Sequence, residues 1–309
     1  MKHAIVTGAN GFVGSAVVRE LLAHGYEVQA VCHGTHWDDL PEHPALHRVS
    51  CALSELPSLP DKLPAASYDL FYHFAWAGSA GSSRADTELQ LQNAQWTVDA
   101  LRAAKALSCR RFLAAGSIAE LEAAAAARTQ GNRPGLGYIY GTGKLAAHAL
   151  CMSVAADLGI ELVWPRITNA YGPGERSPRL VNTTIRKCIQ GEVPQFTAGT
   201  QNYDFVYIDD VARAFRLIGE RGKPFCAYLI GSSSARPLRR FLEEMQQAIA
   251  PALPFAFGDV PFTGTDLPLS AFDCSETERD TGFRAAIPFG EGCRRTADWW
   301  RTILEEERL

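Results

Sequence analysis

Positive charge is not in excess in this 309-residue chain: 30 lysines and arginines stand against 34 aspartates and glutamates, a formal net charge of −4. Without surplus cations to neutralise a phosphate backbone, nucleic acid is not an expected partner, and small molecules become the default. No apolar run is long enough to cross a bilayer, so no membrane partner is expected either. The start, Met1-Lys2-His3 before a short apolar stretch, lacks the longer apolar core and small-residue cleavage site of a secretory leader, which makes the cytoplasm the expected location. Eight cysteines are scattered without a Cys-x-x-Cys pair and read as reduced, mostly buried thiols. The close histidine pairs His33/His36 and His43/His47 join no third ligand at metal spacing. They read as surface-loop residues, and no metal is expected.

What is present is a large apolar fraction, 47% of residues, enough for one big domain or two interlocked ones. The first thirty residues alternate in period: Ala4–Val6 reads as a buried strand, Phe12–His24 as a helix stopped by Gly25, and Val28–Val31 as a second strand. The same rhythm returns with strands at Leu70–Phe74, Arg111–Ala115 and Glu161–Trp164 and helices at Leu89–Leu107 and Tyr140–Leu158. Strands alternating with helices predict a parallel sheet covered on both faces. After Pro165 the pattern loosens into Gly/Pro-punctuated pieces, then returns to strand and helix over Asp204–Ile218 and to strand over Ala227–Ile230. A final amphipathic helix is expected over Arg294–Glu307. The alanine run Ala123–Ala127 reads as a stretch of helix or lid.

Between the first strand and helix, Thr7-Gly8-Ala9-Asn10-Gly11-Phe12-Val13-Gly14 puts glycines at relative positions one, four and seven. The first permits a tight turn, the second lets backbone approach a pyrophosphate, and the third lets helix pack against strand. The helix N-terminus then offers unpaired N–H groups to the anion. An acid closing the second strand would bond the ribose hydroxyls of NAD and repel the extra phosphate of NADP. That position holds Cys32, followed by His33, Gly34 and Thr35, with no acid before Asp38. The expectation tilts to NADP(H), with His33 as phosphate neighbour, and NAD(H) stays open if Asp38 or Asp39 folds back.

Tyr140-Gly-Thr-Gly-Lys144 sets a phenol and an ammonium four residues apart, on one face of the helix predicted there. A phenol titrates near pH 10, and a nearby positive charge is what lets it exchange protons at neutral pH. With these two motifs the chain resembles the extended short-chain dehydrogenases/reductases, the NAD(P)-dependent nucleotide-sugar epimerase/dehydratase family. The likeness continues through the block Phe71–Gly78, which includes Phe74, Ala75 and Trp76, through Asn93, Ala115-Gly116-Ser117, the run from Pro165 to Gly174 with Ile167 and Asn169, the run from Tyr203 to Ala214, and Trp299-Trp300.

The resemblance implies an α/β fold, a Rossmann-type doubly wound parallel sheet with a smaller C-terminal α/β substrate-binding cap. Residues 1–170, completed by about 204–231, would bind the dinucleotide; about 171–203 and 232–309 would form the cap. It implies that Ser117 hydrogen-bonds the reacting oxygen, that Tyr140 exchanges its proton, and that Lys144 tunes Tyr140 and holds the nicotinamide ribose. Cofactor contacts would come from Gly8, Asn10, Gly11, Phe12, Val13, Gly14, Cys32, His33, Phe74, Ala75, Trp76, Asn93, Tyr140, Lys144 and Ile167. Asn169 would lie near substrate or cofactor, or simply form the turn before Tyr171. A homodimer paired through the Leu89–Leu107 and Tyr140–Leu158 segments is implied as well.

Members of the family that perform 4,6-dehydration need an Asp-Glu pair directly after the Ser/Thr, whereas Ile118-Ala119 stand here; the fucose-forming epimerase-reductases place a Cys where this chain has Ala119. The expectation is therefore simple carbonyl/alcohol interconversion on a nucleotide-sugar substrate. A reductase of a nucleotide-linked 4-keto-6-deoxyhexose for surface polysaccharide is the first reading and an NAD-dependent 4-epimerase the alternative. The chain departs from the family pattern at Tyr203, where an Arg is usual, at Thr263-Gly264-Thr265-Asp266, where Arg-x-Gly-Asp is usual, and at Cys51, where the Asp after the third strand is usual. A diphosphate would need other cations, with Arg176, Arg179 and Arg236 as candidates, and a reductase of a small non-nucleotide carbonyl compound stays open.

Overall fold

A computed structural model describes residues 2–34 and 36–306. The strands β1 (Lys2–Thr7), β2 (Tyr26–Cys32), β3 (Leu46–Ser50), β4 (Leu70–His73), β5 (Arg111–Ala114), β6 (Gly116–Ser117) and β7 (Glu161–Ile167) belong to one sheet. Its order runs from a strand at Cys226–Ile230 through β7, β5, β4, β1 and β2 to β3, with β6 extending the β7 pairing. Every pairing within it is parallel. The helices threaded between these strands are α1 (Phe12–Ala23), the short α2 (Leu59–Lys62), α3 (Thr87–Ala106), α4 (Ala119–Arg128) and α5 (Tyr138–Leu158).

Why helices cover both faces is readable in neighbouring residues. Successive strand side chains point to opposite faces, and here both faces are apolar. Val6, Tyr72, Leu113 and Val163 belong to one core together with Val17, Val18 and Leu21 of α1. Their neighbours Ile5, Phe71, Phe112 and Leu162 belong to a second core with Val98 and Leu101 of α3 and Ala147 and Cys151 of α5. Strand order reverses between β1 and β4, so the crevice at their carboxyl ends is the topological switch point of a Rossmann-type doubly wound sheet. Six of the eight cysteines are buried and all are free thiols.

Beyond β7 the chain forms β8 (Ala170–Tyr171), α6 (Leu180–Gln190), β9 (Gln195–Phe196), β10 (Asn202–Tyr203), β11 (Val206–Tyr207), α7 (Ile208–Arg221) and β12 (Cys226–Ile230). It ends with β13 (Arg236–Pro237), α8 (Leu238–Ile249), β14 (Ala256–Phe257), α9 (Ser275–Thr281) and α10 (Phe289–Glu306). Three two-stranded ladders, β8 with β11, β9 with β14 and β10 with β13, lie outside the main sheet. Two of them pair Ala170 with Val206 and Tyr203 with Arg236. No helix among the described residues is long and apolar enough to cross a membrane.

Some elements differ from the periodicity reading. β7 continues through Pro165, which sits opposite the break between β5 and β6, where its missing N–H is tolerated. The edge strand β3 was invisible because most of its residues face outward; it also removes His47 from the surface-loop class, its ring instead meeting Glu27 at 2.8 Å. The last helix starts five residues before Arg294 and is described to Glu306, while Glu307 and Thr35 lie outside the described residues. The alanine run is helical within α4.

Candidate active site

The glycine turn closes on itself tightly. A Cβ on Gly14 would lie 2.1 Å from the Gly8 carbonyl oxygen, and one on Gly8, whose φ is +67°, would lie 2.6 Å from the Ala75 nitrogen. Side chains are thus excluded from a backbone cradle. α1 begins here with no acid in its first turn and no side-chain cap, leaving its N–H groups for an anion. The cradle opens into a groove of ≈ 450 Å³ whose walls include Gly8, Asn10, Gly11, Phe12, Val13, Gly14, Phe74, Ala75, Trp76, Ser117, Tyr140, Lys144 and Ile167. An adjoining pocket of ≈ 470 Å³ shares Gly8, Asn10, Ala75 and Trp76 and adds His33 and Cys51. Among the described residues no Asp or Glu lines that pocket, and neither Asp38 nor Asp39 folds back into it. These dimensions and donors fit a dinucleotide whose pyrophosphate meets the helix end.

On the other side of Tyr140 lies a cavity of ≈ 340 Å³, walled by Arg84, Ser117, Ile118, Ala119, Glu122, Asn169, Arg179, Tyr203 and Phe205 among others. Ser117 and Tyr140 belong to both spaces. Tyr140 and Lys144 are buried on one face of α5, and α5 can dock so closely because Gly141 faces α4, where a Cβ would come within 2.2 Å of the Ala119 oxygen. The Ser117 hydroxyl accepts from the Ala119 N–H at 3.2 Å. Lys144 Nζ donates to the Ala115 carbonyl at 2.8 Å and lies 3.6 Å from the centre of the Trp76 ring. Burial brings its ammonium down to about 7, opposed by the carboxylate of Glu120.

Burial raises the Tyr140 phenol, opposed by the cations Arg84 and then Arg179. The Arg84 guanidinium lies over the Tyr140 ring at 4.1 Å, while Lys144 Nζ, turned towards Ala115 and Trp76, is 6.0 Å from its centre.

Several positions read from the sequence fall elsewhere. Asn93 does not line the cofactor groove; its amide donates to the Ala77 carbonyl at 2.8 Å and accepts the Ala77 N–H at 2.9 Å, clamping the loop after Phe74. Cys32 is 1% exposed and sits under the glycine turn, its thiol raised to about 11 by burial against the opposing N–H groups of Asn10 and Ala9. Arg176 lines the cofactor groove and not the substrate-side cavity. Arg236 faces neither space: it pairs with Glu244 and covers Phe241 at 4.0 Å. Asn169, Arg179 and Tyr203 do reach the cavity, where Asn169 donates to the Asp204 carbonyl at 2.9 Å and Arg179 meets Glu175 at 3.5 Å.

Three residues near the site escaped the motif reading. Glu120, 0% exposed, accepts from the Ser117 N–H at 2.8 Å, the Trp164 indole N–H at 3.0 Å and Arg166 Nε at 2.8 Å, a fully partnered buried carboxylate behind the serine. His148 stacks on Trp164 at 4.5 Å, its ring lowered to about 4 by burial. An acid three residues after Ser117 in an otherwise alanine-rich helix was the one available signal for Glu120. Arg84, in a 3₁₀ turn at Ser82–Ala85, carried none.

The family model described as "NAD dependent epimerase/dehydratase family" matches residues 4–231. Among curated proteins, the dTDP-glucose 4,6-dehydratase of Streptomyces griseus is 23% identical over 96% of this chain and 94% of its own length. A dTDP-4-dehydro-6-deoxy-D-allose reductase from a Streptomyces species is 29% identical over 72% of this chain and 74% of its own length. Several other dehydratases match over about half of this chain and half of their own length. Among solved structures, MoeE5 in complex with UDP-glucuronic acid and NAD superposes with a TM-score of 0.78 and 26% identity, covering 98% of this chain and 100% of that one.

Proposed function

The chain belongs to the NAD dependent epimerase/dehydratase family, and from that premise we propose that it interconverts a carbonyl and an alcohol on the sugar of a nucleotide sugar, as a reductase of a 4-keto-6-deoxyhexose. The observation that carries this reading is the shared wall: Ser117 and Tyr140 face both the dinucleotide groove and the cavity beyond it. The residues after Ser117 that line the cavity, Ile118 and Ala119, have no proton to move, which supports carbonyl reduction over 4,6-dehydration. The likeness to an allose-series keto-sugar reductase points the same way.

The glycine turn, Trp76 and Lys144 would hold a nicotinamide dinucleotide, which would supply the hydride chemistry when bound. Tyr140 gives its proton to the substrate oxygen, and Ser117 orients that oxygen by donating its hydroxyl hydrogen to it. Lys144 sits where its ammonium can meet ribose hydroxyls. Residues 171–203 and 232–309 serve as the substrate cap, and Arg179 on the cavity wall supplies charge for an anionic substrate. The adenosine-side pocket has His33 and no carboxylate, which suits NADP(H) as well as NAD(H). A homodimer through α3 and α5 is supported by Leu91, Leu150 and Met152, which are 61%, 48% and 42% exposed.

The test is a spectrophotometric assay of NADPH and NADH oxidation with a panel of nucleotide-linked 4-keto-6-deoxyhexoses. Stoichiometric consumption with one of them is the expected result. A second reading is a 4-epimerase, in keeping with MoeE5 having been solved with NAD and UDP-glucuronic acid, a nucleotide sugar without a ring ketone. That reading requires protein-bound NAD, isomerisation of a saturated nucleotide sugar and no net cofactor consumption.

A further inference from the structure

The loop between β4 and α3 is held by two buried amides of α3. Gln90, 1% exposed, donates to the carbonyls of Gly78 at 3.1 Å and Ser83 at 2.9 Å and accepts the Trp76 indole N–H at 2.8 Å. Asn93 clamps Ala77 through both its N–H and its carbonyl. On the far limb of this braced loop stands Arg84. Its Nη1 donates to the Ser79 carbonyl at 3.4 Å, and its guanidinium carbon lies 4.1 Å from the centre of the Tyr140 ring. Arg84 forms no salt bridge among the described residues. Arg179, the cavity's other cation, is paired with Glu175.

We propose that Arg84 is a positioning residue for proton transfer, a second cation presented flat against Tyr140 that stabilises the phenolate formed in each turnover. This rests on the reading of Tyr140 as the proton-transfer residue. In the reducing direction the Tyr140 O–H bond breaks and its proton goes to the carbonyl oxygen, whose carbon takes a hydride from a reduced nicotinamide dinucleotide. The electron pair of the O–H bond stays on Oη. An aromatic ring attracts a cation over its face, and a phenolate, richer in π density, attracts it more strongly, so the interaction grows as the proton leaves.

The groups facing Tyr140 come from several elements. Arg84 and Arg179 favour the ionised phenol, Glu120 of α4 disfavours it, and the Ser117 hydroxyl favours it by hydrogen bonding. Lys144 lies on the phenol's own helix, 6.0 Å from the ring centre. Around Arg84 stand Tyr140, Arg179, Glu122 and Tyr203. Burial raises the Glu122 carboxyl, and Arg84 opposes that rise. Lys144, whose ammonium burial weakens, is left to the cofactor side.

The experiment is a pH titration of protein labelled with ¹³Cζ-tyrosine, followed by NMR without substrate turnover, with Tyr140→Phe identifying the Tyr140 signal. Wild type, Arg84→Met and Arg84→Lys are compared, and circular dichroism checks that each is folded. The expected result is a Tyr140 midpoint at least about one pH unit higher in Arg84→Met, a tenfold change in acid dissociation. Arg84→Lys should restore a smaller part, because an ammonium cannot lie flat on the ring. Equal midpoints overturn the proposal, as does a wild-type Tyr140 that stays protonated to the pH at which the fold is lost. Because no substrate is involved, failure of the keto-sugar reading leaves this result standing, and an unchanged titration with a raised substrate KM would make Arg84 a substrate anchor instead.

Discussion

The groove that fits a dinucleotide and the cavity beyond Tyr140 share a wall, yet they are built in opposite ways. The first is largely backbone: a seven-residue span from Gly8 to Gly14, a free helix end and the absence of side chains where two chain segments approach within 2.1 Å of a hypothetical Cβ. The second is an assembly of side chains, with Arg84 from a 3₁₀ turn, Glu122 from α4, Arg179 from the segment before α6 and Tyr203 from a two-stranded ladder. Recognition by backbone needs a local pattern. Recognition by side chains needs long-range register, and so it can change among proteins that share a fold.

That contrast can be broken from either side. Tyr140→Phe removes the proton donor without touching the glycine cradle, and kcat should fall by about 10²–10⁴-fold while dinucleotide affinity, read by fluorescence titration, stays near the wild-type value. Conversely, Gly14→Ala forces a methyl against the Gly8 carbonyl. Calorimetry should show dinucleotide affinity weakened by about 10²-fold, roughly 3 kcal/mol, and a lowered Tm.

His33→Asp places a carboxylate in a pocket that has none. The ratio of NADPH to NADH affinity should fall by about tenfold, a modest change because the exposed site is screened by solvent. An unchanged ratio would move the phosphate-sensing position away from His33.

A smaller effect sharpens the view of the shared wall. Lys144, at about 7 in the folded protein, lies below its unfolded value near 10.4. Between those pH values the unfolded chain binds a proton that the folded one does not, so this residue makes stability rise with pH across the window, and its penalty is complete below it. Lys144→Met should therefore raise the Tm of cofactor-free protein at pH 6, by about 2–4 °C for each kcal/mol relieved, and the advantage should vanish towards pH 10. A gain independent of pH would mean that packing on Trp76, not charge burial, governs the lysine.

The main sheet was legible because its strands are apolar on both faces and its helices are punctuated by glycine, as at Gly25 after α1. β3 was not, since an edge strand with outward-facing His47 and Arg48 carries no hydrophobic signature. Within the candidate site, the glycine turn and the Tyr140/Lys144 spacing are local and were readable. For Arg236 the sequence offers only its chemistry as a phosphate contact, and the structure commits it to Glu244 and Phe241.

By itself, then, the sequence determined the parallel sheet covered on both faces, the glycine cradle and the one-face placement of Tyr140 and Lys144, because each follows from periodicity and spacing within a few turns of chain. Which cation faces the phenol, which carboxylate backs Ser117 and which arginines reach the cavity were decided only when β4, α4, α5 and the segment before α6 came together. Electrostatic influence falls with distance and depends on burial, and neither distance nor burial is defined until the tertiary structure exists.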